Sequence, residues 1–244
     1  MKHAALLFVS LGTLISALLS SVIVRGSDNG PGHNLSKREI EQLLNAPQSD
    51  QRQKAANSIL SAMAFDTTWA FETIISGIIV EESYLRHSEE INQGYVWISW
   101  WNIQKYVRDL ALLGSRSPAS LREFGDKIPP NRKTWILIAE GYQKDKMLHD
   151  KLREIVAKNV NPAQKAMAVE AISQYKDTSD IIILFNATLD DENCIYWAGQ
   201  SDLPGFNPVV LACVIALRHM GYTIEWDSKE FRSYLKKTNE VQNK

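Results

Sequence analysis

The sequence repeats one spacing of small and apolar residues, and this repetition restricts the fold more than any other feature. Each copy begins at a lead residue and places small or apolar residues three, six, seven and ten positions later. These intervals put the residues on one face of a helix. Small residues let neighbouring helices approach closely, so the pattern predicts a stack of packed helices. The five lead residues are Arg52, Gln104, Arg132, Lys165 and Val210.

Helix boundary signals recur along the chain. The segment Ser36–Glu39 has the spacing of a capping box, in which each residue bonds the backbone of the other. Asn161 stands before Pro162, and a proline is well placed at the first position of a helix because no amide donor is needed there. Gly114 follows the apolar run 110–113 and Gly221 follows residues 216–220, and both glycines predict helix ends.

One segment is compatible with a buried strand. Residues 181–185 are rich in β-branched side chains. Their position after the cap-like Thr178 and Ser179, and before a long continuation, favours a helix instead. The chain is therefore predicted to be all-α.

The clearest copy of the pattern is in residues 161–172, which combine an opening proline, the basic Lys165 and an alanine-rich face. This segment resembles the first helix of a unit in the HEAT-like and armadillo-like α-helical repeat families. Residues 207–221 are similar, although Val210 stands where the basic residue is expected. The resemblance, clearest over 161–221, implies a right-handed α-solenoid of HEAT-like helical hairpins, whose curved surface usually binds another protein. Another kind of helical bundle remains the alternative.

The amino-terminal residues 4–24 carry no charge and predict one hydrophobic helix before the repeats. A helix of this length can cross a bilayer, whereas a cleaved signal peptide normally has a shorter apolar region. Residues 1–26 are therefore a signal peptide or a membrane anchor, with membrane contact through 4–24 if the segment is uncleaved. A Gly- and Pro-rich linker at 27–35 leads into a helical repeat domain at 36–244. This domain is expected on the periplasmic or extracellular side, secreted or membrane-anchored.

Charge and cysteine content exclude several classes of protein. The chain has 27 basic and 28 acidic side chains, for a net charge of −1. Nucleic-acid binding needs a basic surface, so no nucleic-acid partner is expected. The two cysteines are too few for a disulfide framework or a cysteine-rich zinc module.

No catalytic, cofactor or metal motif is present in the sequence. The five histidines never occur at the spacing that places two ligands on one helix face. A nucleophile elbow, a dinucleotide fingerprint and a phosphate loop are missing as well. No catalytic residue, metal or cofactor is predicted, although distant acids such as Glu140 or Glu170 can still converge beside Trp100 or Trp101. An envelope-associated enzyme or ligand-binding helical domain with an aromatic platform is therefore the alternative function.

Residues 94–108 are unusually rich in tryptophan and tyrosine. On a helix, Trp97 and Trp101 lie one turn apart, beside a core-facing stripe, with Lys105 and Arg108 close by. Because Trp, Tyr and Arg dominate binding hot spots, these four residues are predicted to contact a partner. Two alternatives stay open: a wide helix face covered by neighbouring helices, and a purely structural spacer with both tryptophans fully buried.

The segment 190–206 interrupts the repeat, and long loops of this kind are often functional. The second predicted set of partner-binding residues consists of its aromatic side chains, Tyr196, Trp197 and Phe206. Cys194 in this segment and Cys213 on the following helix can form a disulfide in an exported protein. The alternative is two buried thiols, which is favoured because Cys213 occupies a packing position of the repeat.

These inferences converge on one expected function. The chain is predicted to be an exported or membrane-anchored helical-repeat protein that serves as a protein-binding or scaffold module. Its expected partner is another protein, which the sequence does not identify.

Overall fold

The computed structural model describes residues 35–63, 66–86, 94–158, 161–189 and 208–221. These ranges contain ten α-helices and no β-strand, so the predicted all-α class is confirmed over them. The helices are α1 Lys37–Leu44, α2 Ser49–Ala62, α3 Thr67–Arg86, α4 Gly94–Arg116, α5 Pro118–Lys127, α6 Pro130–Gly141, α7 Lys146–Lys158, α8 Pro162–Ser173, α9 Ile181–Leu189 and α10 Pro208–His219. The predicted hydrophobic amino-terminal helix, and all but the last residue of the predicted linker, lie outside the described residues.

Two helices begin with the caps that the sequence predicted. At α1 the Ser36 N–H donates to Glu39 Oε2 at 2.8 Å, and the Glu39 N–H donates to Ser36 Oγ at 3.3 Å. At α8, Asn161 Oδ1 accepts from the N–H groups of Ala163 at 3.0 Å and Gln164 at 3.3 Å. Both arrangements satisfy backbone donors that have no partner within the helix.

The two predicted glycine stops have different outcomes. α10 ends at His219, and Gly221 has a φ of +92°, the left-handed backbone that favours glycine after a helix, so this stop is confirmed. The stop at Gly114 is wrong, because α4 continues to Arg116. Gly114 is buried, and a Cβ there would collide with the Leu121 side chain on α5. Its small size therefore serves helix packing rather than helix termination.

The segment with two possible interpretations is a helix. Residues 181–185 begin α9, and a 3₁₀ turn, Thr178–Asp180, precedes it. The carboxylate of Asp177 accepts the N–H of Ser179 at 2.9 Å and so caps this turn. The local cap overrides the β-branched composition.

Each copy of the recurring pattern lies on a different helix, and these are every second helix along the chain: α2, α4, α6, α8 and α10. The side chains three and seven positions after each lead are buried in all five copies. They are Ala55, Ile59, Val107, Ala111, Trp135, Ala139, Ala168, Ile172, Cys213 and Leu217. The pattern therefore marks the core-facing side of the even-numbered helices.

Contacts between helices follow the same alternation. In the even-numbered series α2 contacts α4, α4 contacts α6, α6 contacts α8, and α8 contacts α10. In the odd-numbered series α1 contacts α3, α3 contacts α5, and α7 contacts α9. α8 is the most enclosed element: every residue from 163 to 169 is buried, because α6, α7 and α10 surround it.

Within the described ranges, none of the helices combines the length and apolar character needed to cross a bilayer.

Candidate functional site

Four side chains on α4 form one exposed line, which we call the α4 stripe: Trp101, Lys105, Arg108 and Leu112. They follow the spacing i, i+4, i+7 and i+11, so they lie along one side of the helix. Trp101 is 40% exposed and Leu112 is 41% exposed, which makes them two of the few large apolar side chains that reach solvent among the described residues. Lys105 and Arg108 lie between them. The stripe thus places two cations between two apolar ends.

The opposite side of α4 belongs to the core. Trp100, Ile103, Val107 and Leu110 are at most 1% exposed, as the predicted core stripe required. Tyr106 is fully buried beside them, with its ring against Gly77 of α3. α4 contacts α2, α3, α5, α6 and α8, so this helix is a centre of packing whose outer edge remains open.

A buried charge network fixes α4 against α2 and α3. Glu81 on α3 accepts from Arg52 Nε on α2 at 3.0 Å and from Asn102 Nδ2 on α4 at 2.7 Å. Arg52 Nη2 also donates to Ser99 Oγ of α4 at 3.4 Å. Both charged side chains are only 1% exposed. Since buried charges need a defined partner, this network sets the register of α4.

Both cations of the α4 stripe form ion pairs. In each pair the cation is more exposed to solvent than the carboxylate that it binds. Lys105 Nζ donates to Asp109 Oδ2 at 2.8 Å, with exposed fractions of 33% for Lys105 and 10% for Asp109. Arg108 Nε donates to Glu170 Oε1 at 2.9 Å, with 52% of Arg108 and 20% of Glu170 exposed. Burial raises the pKa of Asp109, although the Lys105 ammonium lowers it in part. The stripe therefore presents positive groups outward, in front of shielded carboxylates.

The Arg108–Glu170 pair also connects distant helices. Arg108 is on α4 and Glu170 is on α8, which have α6 between them in the even-numbered series. Tyr142, directly after α6, lies beside this pair. Burial, and then the nearby Glu170 carboxylate, raise the pKa of the Tyr142 hydroxyl well above its ordinary value. The pair thus forms a polar junction of three helices at one edge of the stripe.

The structure therefore brings together three of the four residues predicted on the tryptophan-rich helix, namely Trp101, Lys105 and Arg108. The backbone of Trp97 is helical, and its side chain is outside the described part. Leu112 was not predicted as a contact residue, because in the sequence it belongs to the apolar run before Gly114. Trp100 is 1% exposed and Trp101 is 40% exposed, so the alternative in which both Trp97 and Trp101 are fully buried is wrong at Trp101.

The second predicted set of contact residues, Tyr196, Trp197 and Phe206, lies in a part of the chain that the structure does not describe, and so does Cys194 of the predicted disulfide. Cys213 is buried on α10. The loop contacts and the disulfide therefore stay predictions.

The two acids proposed for an aromatic substrate platform each lie beside an arginine. Glu170 binds Arg108, and Glu140 lies 3.8 Å from Arg122. Trp100 is 1% exposed and offers no surface to a ligand. A groove of about 490 Å³ does exist between α3 and α5, with Ile75 and Phe124 among its lining residues, but it does not include the α4 stripe.

One ionic cluster had no signal in the sequence. Asp180, which is fully buried, accepts from His149 Nε2 at 2.8 Å and from Arg153 Nε at 2.7 Å. Arg153 Nη2 also donates to Asp177 Oδ2 at 3.1 Å. His149, Asp177 and Asp180 bring three ligand-type atoms within 4.8 Å of one another, the usual basis for suspecting a metal. The Arg153 guanidinium already bonds both carboxylates, so the cluster acts as a clamp between α7 and the turn before α9.

Comparison with known proteins adds no relative: no family model, no curated protein and no solved structure matches this chain. The functional argument therefore depends on the geometry of the described residues.

Proposed function

We propose that this chain is a helical-repeat module that binds another protein, with the α4 stripe as part of its contact surface. The observation that carries the proposal is the exposure of Trp101 and Leu112 on a helix that is otherwise committed to the core. Exposed aromatic and arginine side chains at the centre of a rigid scaffold are the usual composition of a binding hot spot. The buried network through Glu81 gives the stripe a rigid base.

We further propose that the helices stack as a right-handed α-solenoid. Two observations support this arrangement: the recurring pattern lies on every second helix, and each even-numbered helix from α2 to α8 contacts the next even-numbered helix as well as the helix before it in the chain. α4 and α8 also contact each other, although α6 lies between them in the series. Such a contact is expected on the inner side of a curved stack, where two helices approach each other even though a third lies between them in the series. The α4 stripe would then border the concave surface, which is where solenoid proteins commonly bind partners.

Export or membrane anchoring remains part of the proposal. Its support is the uncharged run of residues 4–24. The partner would accordingly be a protein on the periplasmic or extracellular side. A protease-accessibility assay tests this part on intact cells and on cells with a permeabilised outer membrane, with the chain tagged after residue 244. Degradation of the tag only after complete lysis would contradict export.

Site-directed photo-crosslinking tests the binding surface. A photoreactive amino acid is placed at position 101 or 112 of the full chain, in the cells that make it. The matched control is position 147, because Met147 is an apolar residue with 82% exposure on a different helix, α7. We expect one discrete crosslinked product from both stripe positions, competed by excess unlabelled chain, and none from the control. Equal labelling at all three positions, or no product from the stripe, would refute the proposal.

A further inference from the structure

We infer that the partner of the α4 stripe is an acidic amphipathic helix that packs lengthwise along α4. This inference rests on the proposed function and deepens it by naming the chemistry of the partner. Its basis is the order of side chains in the stripe and the position of its two ion pairs.

The shape of the stripe fits a helix. Its four residues span eleven positions, or about 17 Å along the axis, which corresponds to three turns of a partner helix. The backbone of α4 is bonded within the helix through this region, so it offers no open edge to an extended strand. Recognition must then come from side chains, and helix-on-helix packing presents them at the matching spacing of three and four residues.

The order of residues sets the pattern of the partner. Trp101 and Leu112 are the two apolar ends, and Lys105 and Arg108 lie between them. A complementary helix carries apolar side chains about eleven positions apart with acids between them. Each apolar end then covers an exposed apolar surface while the acids meet the cations.

The sign of the partner's charge follows from the layering of the ion pairs. Asp109 and Glu170 are less exposed than the cations they bind, so the outer layer of the stripe is positive although each pair is neutral. A partner carboxylate can therefore approach Arg108 from the solvent side without meeting Glu170 first. A basic helix would meet two cations directly, which is unfavourable at an interface.

An anionic membrane surface is a less suitable partner for this stripe. Membrane-binding faces combine a broad apolar side with clustered unpaired Lys and Arg. Here two cations are each bound to an acid, and the apolar ends are separated by about three helical turns. A protein helix matches the sequence of apolar, basic, basic and apolar side chains along the stripe better. Membrane binding is included as an outcome of the test.

The test uses the purified full chain and three synthetic helical peptides of equal length. The first carries Leu, Glu, Glu and Leu at positions i, i+4, i+7 and i+11; the second has Lys in place of Glu; the third is a scramble of the first. Binding is measured by fluorescence anisotropy of labelled peptides at two salt concentrations. We expect the acidic peptide to bind at least about fivefold more tightly than the basic and scrambled peptides, with a smaller margin at high salt.

A charge-swapped variant is the decisive control. Arg108→Glu together with Glu170→Arg keeps an ion pair between α4 and α8 but exposes the carboxylate on the outside. We expect an unchanged melting temperature and loss of the preference for the acidic peptide. Phosphatidylglycerol vesicles serve as the membrane probe, compared between wild type and the swapped variant.

The outcomes separate this inference from the proposed function. Equal binding of the acidic and basic peptides, no binding of either, or a swap that changes vesicle binding but not peptide binding would overturn the inference. The crosslinking result at positions 101 and 112 is independent of these peptides. Crosslinking with no charge preference would keep a protein-binding surface and reject an acidic helix as its partner.

Discussion

The buried pair of Arg52 and Glu81 is the most sensitive point of the fold, and Glu81→Gln tests it. The substitution keeps the size of the side chain and can still accept from Asn102, but it removes the only carboxylate seen on Arg52 in the described structure. The remaining acceptors of the guanidinium are neutral: the carbonyls of Ala46 at 3.0 Å and Pro47 at 2.9 Å, and the Ser99 hydroxyl. A positive charge with 1% exposure would then lack a counter-ion.

The expected loss of unfolding free energy in Glu81→Gln follows from the burial of Arg52. Removing one partner of a buried ion pair typically costs about 3–5 kcal/mol. Because three neutral acceptors and the Tyr84 ring, 3.7 Å from the Arg52 Cζ, still surround the guanidinium, we expect the lower end, about 3 kcal/mol. The exposed pair of Lys37 and Asp66 is the matched comparison. Asp66→Asn, which breaks that exposed pair, should lower the free energy of unfolding far less than Glu81→Gln does.

The assay is urea unfolding of the full chain, followed by circular dichroism at 222 nm. Glu81→Gln, Arg52→Met and the double variant complete a mutant cycle, in which the second change should add little once the first has been made. A loss of less than about 1 kcal/mol for Glu81→Gln, or additive losses in the cycle, would refute the claim that this pair fixes the position of α4.

Three further predictions use the same structure. Ala168→Leu should overpack the enclosed α8 and lower the free energy of unfolding by about 1–3 kcal/mol, whereas Ala157→Leu on an exposed face of α7 should change it by less than about 0.5 kcal/mol in urea titrations. Trp101→Ala should weaken partner capture by at least about tenfold while the melting temperature stays close to wild type; equal losses of both would identify a packing residue. Hydrogen bonds from Ser179, with Arg153 contributing less, lower the pKa of Asp177, so its contribution to stability is present above the unfolded pKa and is lost as the pH falls through the folded value. Asp177→Asn should therefore make the melting temperature fall less steeply as the pH is lowered into the acidic range. The same steepness in the variant and the wild type would contradict the role of this cap.

The packing of the fold was predictable because it depends on local periodicity. Helices that approach closely need small residues at fixed intervals, and those intervals can be counted directly along the sequence. This is why positions such as Ala168 and Ile172 were correctly assigned to the core. Caps such as Ser36 with Glu39 were predictable for the same reason, since both partners lie within one helical turn.

The ionic contacts between different helices were not predictable, because their partners are far apart in the chain. Arg52 and Glu81 are 29 positions apart, and His149 and Asp180 are 31 positions apart. No periodicity connects such residues, and composition suggests a solvated surface for all of them. Arg52 occupied a lead position of the repeat, and nothing in that pattern distinguished a buried cation from an exposed one.

The exposed edge of α4 was only partly predictable, for a related reason. A run of aromatic residues indicates a wide apolar face but does not show how much of that face neighbouring helices cover. The angular position of each side chain decides it: Trp100 is covered by the helices packed around α4, and Trp101, one position further, is not. Coverage depends on where the neighbouring helices lie.

One helix therefore carries two surfaces with separate consequences, and this separation is what makes the proposal testable. Changes on the inner side of α4, at Asn102 or at its partner Glu81, act on the free energy of unfolding, because they disturb charges that water cannot reach. Changes on the outer side, at Trp101 or Leu112, act on side chains that already contact solvent and should leave that free energy nearly unchanged. If variants of the α4 stripe proved as destabilising as Glu81→Gln, the stripe would be a packing surface of the stack. If they left the fold intact and removed the crosslink, the exposure of Trp101 and Leu112 would be explained by a partner.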